Sequence, residues 1–154
     1  MKYGIIAVDP GRTTGIAGIY WKDNANSITW FVEQAHIDEG LKDLLDRFFH
    51  HDPEWIVCES FQYRRLPKVD LTAVEIIGAL KFYAELYMFP GLSFQPPGTK
   101  TLMDNDKLKA LGVYSKGKPH ANDAMRHLLN FVITGKAGEA IQKWVLETLR
   151  HAQE

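Results

Sequence analysis

The sequence predicts an α/β fold in which a mixed five-stranded sheet, three antiparallel strands then two parallel strands, carries helices on both faces. Three short apolar runs come first and are joined by connections too short for a helix, which favours an antiparallel meander. Two later apolar runs each follow an amphipathic helical pattern, which is typical of crossovers that return to the same sheet. Together these patterns predict the element order β-β-β-α-β-α-β-α-α.

Length, composition and charge are those of one ordinary domain. The chain has 154 residues, 45% of them hydrophobic, which is enough to bury a core without disulfides or structural metal, so we expect a single domain over residues 1–154. The formal charge of -1 excludes a polycation that coats nucleic acid, although local basic patches are compatible with binding. The single cysteine, Cys58, and the charges that interrupt the apolar stretch 73–89 predict an intracellular protein outside the membrane.

Five apolar runs predict the strands, which cover residues 3–9, 15–21, 27–33, 55–59 and 92–95. The first and fourth runs are almost continuously apolar, as is typical of strands covered on both faces. The polar segment 22–26 supplies hairpin residues between the second and third strands. Gly11 and Gly15 are predicted to serve a tight turn between the first two strands.

Apolar residues at helical spacing predict the helices. The first pattern covers residues 41–49, with Asp38 as its predicted N-cap, and Asp70 is the predicted cap of a long second helix. Further helical stretches follow at about residues 100–103, 107–111, 121–133 and 138–152. The last helix is amphipathic, and its apolar face, which includes Trp144, fits either packing within the chain or a dimer contact.

Acidic residues end two of the predicted strands. Asp9 and Glu59 each follow an apolar run, and neighbouring strands place such residues side by side at one edge of a sheet. Repulsion and desolvation disfavour two ionised carboxylates there without a cation, so the pattern indicates a hard divalent metal, although either acid alone equally fits a turn cap. His120 and Asp123 lie at i and i+3 on one helical face, and His127 continues that stripe, which alone also fits a solvated face.

These residues together resemble the RuvC-like Holliday junction resolvases of the RNase H-like nuclease superfamily. The resemblance spans nearly the whole chain in the order of the family and is carried by IIAVDPGRTTGIA at 5–17, IVCES at 56–60 and KPHANDAMRHLL at 118–129. It implies an RNase H-like sheet, with Asp9, Glu59 and Asp123 as metal-binding carboxylates. His120 takes the place of a fourth carboxylate. The short chain and the short loop after DPG resemble more the compact, phage-encoded branch.

The resemblance also implies a reaction. It is two-metal phosphodiester hydrolysis of branched DNA, such as a four-way junction, in recombination or repair, with Mg2+ or Mn2+ ions roughly 3.5–4 Å apart. Asp9 would bridge the two ions, and His120 would either bind one or orient the water. Two symmetric nicks call for a homodimer. The implied location is the cytoplasm of a bacterium or of a phage-infected host, and Cys58 is predicted to lie in the core rather than act as a nucleophile.

A basic and aromatic segment, residues 61–68, follows Glu59 directly. Its arginines suit phosphate contacts, while an aromatic ring can stack on an unpaired base. The alternatives are a solvated loop and ordinary surface charge. The predicted DNA contacts are Arg12, Phe61, Tyr63, Arg64, Arg65, Lys68, Lys100 and Lys107.

Three other functions compete with junction resolution. Another RNase H-like nuclease, cutting an RNA-DNA hybrid or a flap, would use the same metal chemistry, so the site residues do not decide the substrate. A noncatalytic DNA-binding protein would use the acids structurally. A nucleotide-binding domain of the actin and sugar kinase group shares the D-x-G-x-T pattern, but that group needs two such domains and a second phosphate loop, for which this chain has no room.

Overall fold

The computed structural model describes residues 2–22, 27–63 and 69–152. Its five strands are β1 (Lys2–Asp9), β2 (Thr13–Lys22), β3 (Ile28–His36), β4 (Trp55–Glu59) and β5 (Leu92–Gln95). They form one sheet in the order β3-β2-β1-β4-β5, in which β1, β2 and β3 are antiparallel and β4 and β5 run parallel to β1. The predicted mixed sheet is confirmed, and β1 is its central strand.

Helices cover both faces of the sheet, as predicted. They are α1 (Leu41–Phe49), α2 (Thr72–Leu86), α3 (Asn105–Ala110), α4 (Pro119–Ile133) and α5 (Glu139–His151), with 3-10 turns at Ile37–Glu39 and Pro97–Leu102. One face packs on α1 and α2, and the other on α3, α4 and α5. None of the helices in the described ranges is both long and apolar enough to span a bilayer.

Strand periodicity builds the two cores. Successive side chains of a strand point to opposite faces, so Ile5 and Ala7 of β1 pack towards α4 while Ile6 and Val8 pack towards α1 and α2. The same alternation along β4 puts Cys58 in the α1–α2 core, wholly buried, which agrees with its predicted core position. Trp144 of α5 packs against the α4 core, so the intramolecular alternative holds for that face.

The predicted N-cap of α1 is wrong. Asp38 lies in the 3-10 turn instead, because the side chain of His36 accepts from the amide of Asp38 and the carboxylate of Glu39 accepts from the amide of His36. This capping box closes a separate turn, and α1 begins only after Gly40, whose φ of 104° lies in the region that favours glycine. The N-cap of α2 is Leu71 rather than the predicted Asp70, which lies one residue earlier and accepts from the amide and hydroxyl of Thr72.

Candidate active site

Three polar side chains end adjacent strands at one edge of the sheet. The parallel pairing of β1, β4 and β5 brings Asp9, Glu59 and Gln95 to the same edge, with Glu59 directly opposite Gln95. Ala7 and Val57 face the α4 core, so Asp9 and Glu59, two residues further on, project from that same face. Asp9 is buried, and the side chain of Glu59 is 16% exposed. The strand-end acids therefore meet beneath α4.

The first turn of α4 lies directly on the sheet because Gly15 has no side chain. Gly15 is paired with Asp9 on one side and Gln34 on the other, and an added Cβ would lie 1.9 Å from the carbonyl oxygen of His120. The predicted turn role of Gly15 is therefore wrong, since it lies within β2 and permits this close approach. The Gln34 side chain accepts from the amides of His120 and Ala121, at 3.0 and 3.4 Å, at the start of the helix.

This placement of α4 brings two more predicted residues to the strand ends. His120 Nδ1 lies 3.1 Å from Asp9 Oδ2. Asp123 follows three residues later and contacts Lys100, whose Nζ lies 3.0 Å from Asp123 Oδ2 and 3.1 Å from Glu59 Oε2. Lys100, which the resemblance to the family assigns to DNA, thus lies between two of the four predicted metal ligands.

Two residues outside the predicted set hold these carboxylates. Arg126 forms an ion pair with Asp123 Oδ1 and donates to the carbonyl of Met103 at 2.8 Å. His127, wholly buried, lies with Nε2 2.7 Å from Glu59 Oε2 and Nδ1 2.9 Å from Gln95 Oε1. The i, i+4 spacing of His127 from Asp123 was the available signal, because it places both on one face of α4. The i, i+3 spacing of Arg126 from Asp123 was a similar local signal for their ion pair.

The charges of the cluster are unevenly compensated. Burial, followed by the negative charge of Glu59, raises the pKa of Asp9 despite the contacts with Lys100 and His120. For Glu59, burial raises the pKa, but the hydrogen bond from His127 and the charge of Lys100 outweigh burial and lower it. Burial opposes the charged form of Lys100, but the hydrogen bond to Asp123 and the surrounding carboxylates raise its pKa. Of Asp9 and Glu59, Asp9 is therefore the carboxylate whose charge is less stabilised.

The donor chemistry fits a hard divalent cation. Carboxylate oxygens are the ligands that Mg2+ prefers, and such an ion would supply the positive charge that buried Asp9 lacks. Among the residues that the structure describes, no group of three His, Cys, Asp or Glu side chains is arranged to hold an ion as it stands. The ammonium of Lys100 lies between Glu59 and Asp123 instead, so metal loading requires these side chains to rearrange.

A cleft of about 460 Å3 opens beside Glu59 and Lys100, and Phe61, Ala73 and Pro97 form part of its lining. Phe61 is 37% exposed there, whereas Tyr63, two residues on, is 69% exposed. The cleft thus adjoins the carboxylates and presents one aromatic ring.

The other predicted DNA contacts are dispersed. Arg12 is exposed, beside Asp70 and Leu71 at the start of α2. Lys107 is not joined to the cluster, because its ammonium donates to the carbonyl of Leu102 at 2.8 Å and faces Asp104. Arg64, Arg65 and Lys68 lie outside the described residues.

The sheet is an antiparallel meander continued by two parallel strands, and acids end β1 and β4 beneath a helix. The chain therefore has the fold of the RuvC-like resolvases, which is an RNase H-like fold. Among solved structures it is similar to Thermus thermophilus RuvC, with a TM-score of 0.60, 15% identity, and coverage of 88% of this chain and 98% of that one. The same enzyme in complex with a Holliday junction substrate gives a TM-score of 0.64 at the same identity and coverage.

The yeast mitochondrial Holliday junction resolvase Ydc2 is also similar, with a TM-score of 0.51, 15% identity, and coverage of 96% of this chain and 80% of that one. No protein-family model matches the sequence, and a search of curated proteins likewise finds no match. At this identity the likeness shows a shared fold.

Proposed function

We propose that this chain is a metal-dependent endonuclease that resolves Holliday junctions and related branched DNA. The observation that carries the proposal is the convergence of Asp9, Glu59 and Asp123 at the end of the central strand of a RuvC-like fold. The similar Thermus enzyme was solved with a Holliday junction substrate, which supports branched DNA as the substrate class.

Asp9, Glu59, Asp123 and His120 are the residues that would hold Mg2+ or Mn2+. Two bound ions would supply activation of the attacking water and stabilisation of the leaving oxygen, the chemistry of two-metal phosphodiester hydrolysis. Lys100 supplies a positive charge beside Glu59 and Asp123 and is the side chain that we assign to the substrate phosphate. Cys58 takes no part, because it is wholly buried on the opposite face and burial raises the pKa of its thiol.

DNA contacts are assigned around the cleft. Phe61 lines it and is the ring that we propose stacks on an opened base next to the scissile phosphate. Arg12 lies on the loop that follows Asp9, where a guanidinium can reach the backbone. Tyr63, Lys107, Arg64, Arg65 and Lys68 remain predicted contacts.

We further propose that the enzyme is a homodimer that pairs through α2. The exposed side of that helix carries Val74, Gly78, Phe82 and Leu86 at i, i+4 spacing, and an added Cβ at Gly78 would meet nothing within 4 Å. Ridges at this spacing pack into each other, and a glycine lets two helices approach closely. When two antiparallel copies cross at Gly78, the ridge faces itself and Glu75 of one copy lies opposite Lys81 of the other. This self-complementarity supports a second copy of the chain as the occupant that we propose for the ridge.

The test is cleavage of matched four-way junction, flap, linear duplex and RNA-DNA hybrid substrates with Mg2+ or Mn2+. Wild type should nick the junction preferentially, and Asp9→Asn or Glu59→Gln should abolish nicking while junction binding persists. Asp106→Asn is the matched control, because that carboxylate is 92% exposed on α3 and should leave the rate unchanged. Preferential cutting of the hybrid would indicate another RNase H-like nuclease. Junction binding without cutting in either metal would indicate a noncatalytic binding protein.

A further inference from the structure

His127 is a buried histidine that bridges the ends of two strands. Its side chain is wholly inaccessible, yet both ring nitrogens lie within hydrogen-bond distance of side chains, Nε2 with Glu59 Oε2 and Nδ1 with Gln95 Oε1. Glu59 and Gln95 are register partners at the ends of β4 and β5. The ring therefore links α4 to the ends of the neighbouring strands β4 and β5.

The chemistry of the contact fixes the direction of one hydrogen bond. An ionised carboxylate only accepts, so Nε2 of His127 carries the hydrogen and donates to Glu59 Oε2. On the other side, Nδ1 of a neutral ring accepts, which requires a Gln95 carboxamide turned by 180° so that its amide donates; the carboxamide as placed requires a doubly protonated ring, in which Nδ1 donates to Oε1. Both arrangements leave the same donor facing Glu59.

His127 and Lys100 both contact the same oxygen of the Glu59 carboxylate, Oε2. Nε2 of His127 lies 2.7 Å and Nζ of Lys100 lies 3.1 Å from Oε2. The two donors differ in freedom, because Lys100 is a flexible side chain at 29% exposure and also pairs with Asp123. The ring of His127 is packed in the core, so it is the donor that sets the carboxylate orientation whatever Lys100 does.

We propose that His127 is a positioning residue for Glu59, locked by Gln95, and that it prepares this carboxylate for metal binding without touching metal or DNA. This inference rests on the proposed function, in which Glu59 is a metal ligand. Side chains that orient ligating groups typically change metal affinity or activity by 10–100-fold when they are removed. The structure thus assigns to a buried pair, His127 and Gln95, part of the metal affinity of the site.

The first test measures the contact in the metal-free protein. Nitrogen-15 NMR of labelled histidines should show a protonated Nε2 for His127 whose N–H exchanges slowly with solvent. Glu59→Ala should shift that N–H signal strongly, whereas Asp9→Asn should leave it in place. An unprotonated Nε2, or a signal that ignores Glu59→Ala, overturns the proposal.

The second test measures Mn2+ affinity by calorimetry on the full chain without DNA. His127→Leu, which removes the donor but keeps much of the volume, should bind Mn2+ roughly 10–100-fold more weakly. His127→Gln should recover most of the affinity, because its amide can donate from about the same place. Val132→Ala, in the core elsewhere on α4, should lower the melting temperature without changing Mn2+ affinity. Metal-free junction binding should be unchanged in all three.

The outcomes separate the two proposals. Wild-type affinity in His127→Leu overturns the positioning role while leaving the nuclease proposal intact, and so does an equal loss in Val132→Ala, which would indicate a general loss of stability. If the wild-type chain binds no Mn2+ and cuts no substrate, the proposed function fails, and the NMR test then decides by itself whether His127 orients Glu59.

Discussion

Asp9 is buried next to other carboxylates, and burial together with the charge of Glu59 raises its pKa. The folded state therefore binds the proton of the Asp9 carboxyl more tightly than the unfolded state does. Ionisation of Asp9 thus reduces the stability of the folded state as the pH rises above the pKa of aspartate in the unfolded chain, about 3.9. We expect Asp9→Asn to raise the melting temperature of the metal-free protein at pH 7, although it abolishes cleavage.

Thermal unfolding in EDTA between pH 4 and pH 7 checks this expectation. The difference between Asp9→Asn and wild type should grow as the pH rises from 4 and level off once Asp9 is ionised in the folded state. A lower melting temperature for Asp9→Asn at pH 7 would show that the contacts with His120 and Lys100 outweigh burial and repulsion.

His120 brings an imidazole to a site made otherwise of carboxylates. Mg2+ prefers oxygen ligands, whereas Mn2+ accepts nitrogen more readily, so wild type should cleave faster in Mn2+ than in Mg2+. His120→Asp should move the preference towards Mg2+, because it restores an all-oxygen set. The ratio of cleavage rates in the two metals is the measurement. The control is His50→Asp, which changes an exposed histidine beyond α1 and should leave the ratio unchanged. If His120→Asp shows the same ratio as wild type, His120 is not a metal ligand.

Some residues of the site can be predicted from a local sequence pattern, whereas others cannot. Asp9 and Glu59 follow from a local rule, an acid that ends an apolar strand. Gln95 also ends an apolar strand, but its side chain is an uncharged amide, so electrostatics gives no reason to select it from the sequence. Gln34 acts through long-range packing, which depends on where α4 crosses the sheet and is not encoded in any local pattern. Arg126 lies three residues after Asp123 on the same helix, so its ion pair with that carboxylate is local.

At the scale of elements, the contact of α4 with β2 depends on a single missing side chain. A Cβ at Gly15 would lie 1.9 Å from the His120 carbonyl oxygen, which is backbone and cannot rotate away. Gly15→Ala should therefore displace the first turn of α4, lower the free energy of unfolding by about 1–3 kcal/mol or more, and reduce cleavage as His120 leaves Asp9. Chemical denaturation and the nicking assay measure both effects.

Gly11→Ala is the matched control for that substitution. The nearest atom to its added Cβ is the carbonyl oxygen of Thr13 at 3.5 Å, an ordinary contact. We expect its stability to stay close to wild type. Equal destabilisation of both variants would mean that the loop after β1, rather than the helix contact, is the sensitive feature.

Element types follow from periodicity, whereas their ends do not. The third strand continues to His36, beyond the predicted 33, because its ladder with β2 extends until His36 pairs with Thr13. Asp38 is a good N-cap residue in isolation, but neighbouring His36 and Glu39 use that segment for a 3-10 turn. Competing local hydrogen bonds of this kind decide the boundary, and periodicity carries no information about them.

For the whole molecule, the ridge on α2 predicts the oligomeric state. Phe82 is 67% exposed at the middle of the ridge, and Phe82→Glu would place a charge in the proposed dimer contact. Sedimentation velocity should show a dimer for wild type and a monomer for Phe82→Glu. Leu146→Glu, at an apolar residue of α5 with 46% exposure, is the control and should remain dimeric. A monomeric wild type, or a dimeric Phe82→Glu, would contradict pairing through α2.

The contact between Gly15 and α4 also acts as a check on folding. A slip of one residue between β1 and β2 would turn every side chain of β2 to the other face and put Thr14 or Ile16 where the helix passes. Helix α4 begins at Pro119, far beyond β2 in the chain, so local pairing of β1 with β2 does not by itself test the register. A hairpin slipped by one residue leaves no room for the helix at its native position, so it would have to reopen before the active site can form.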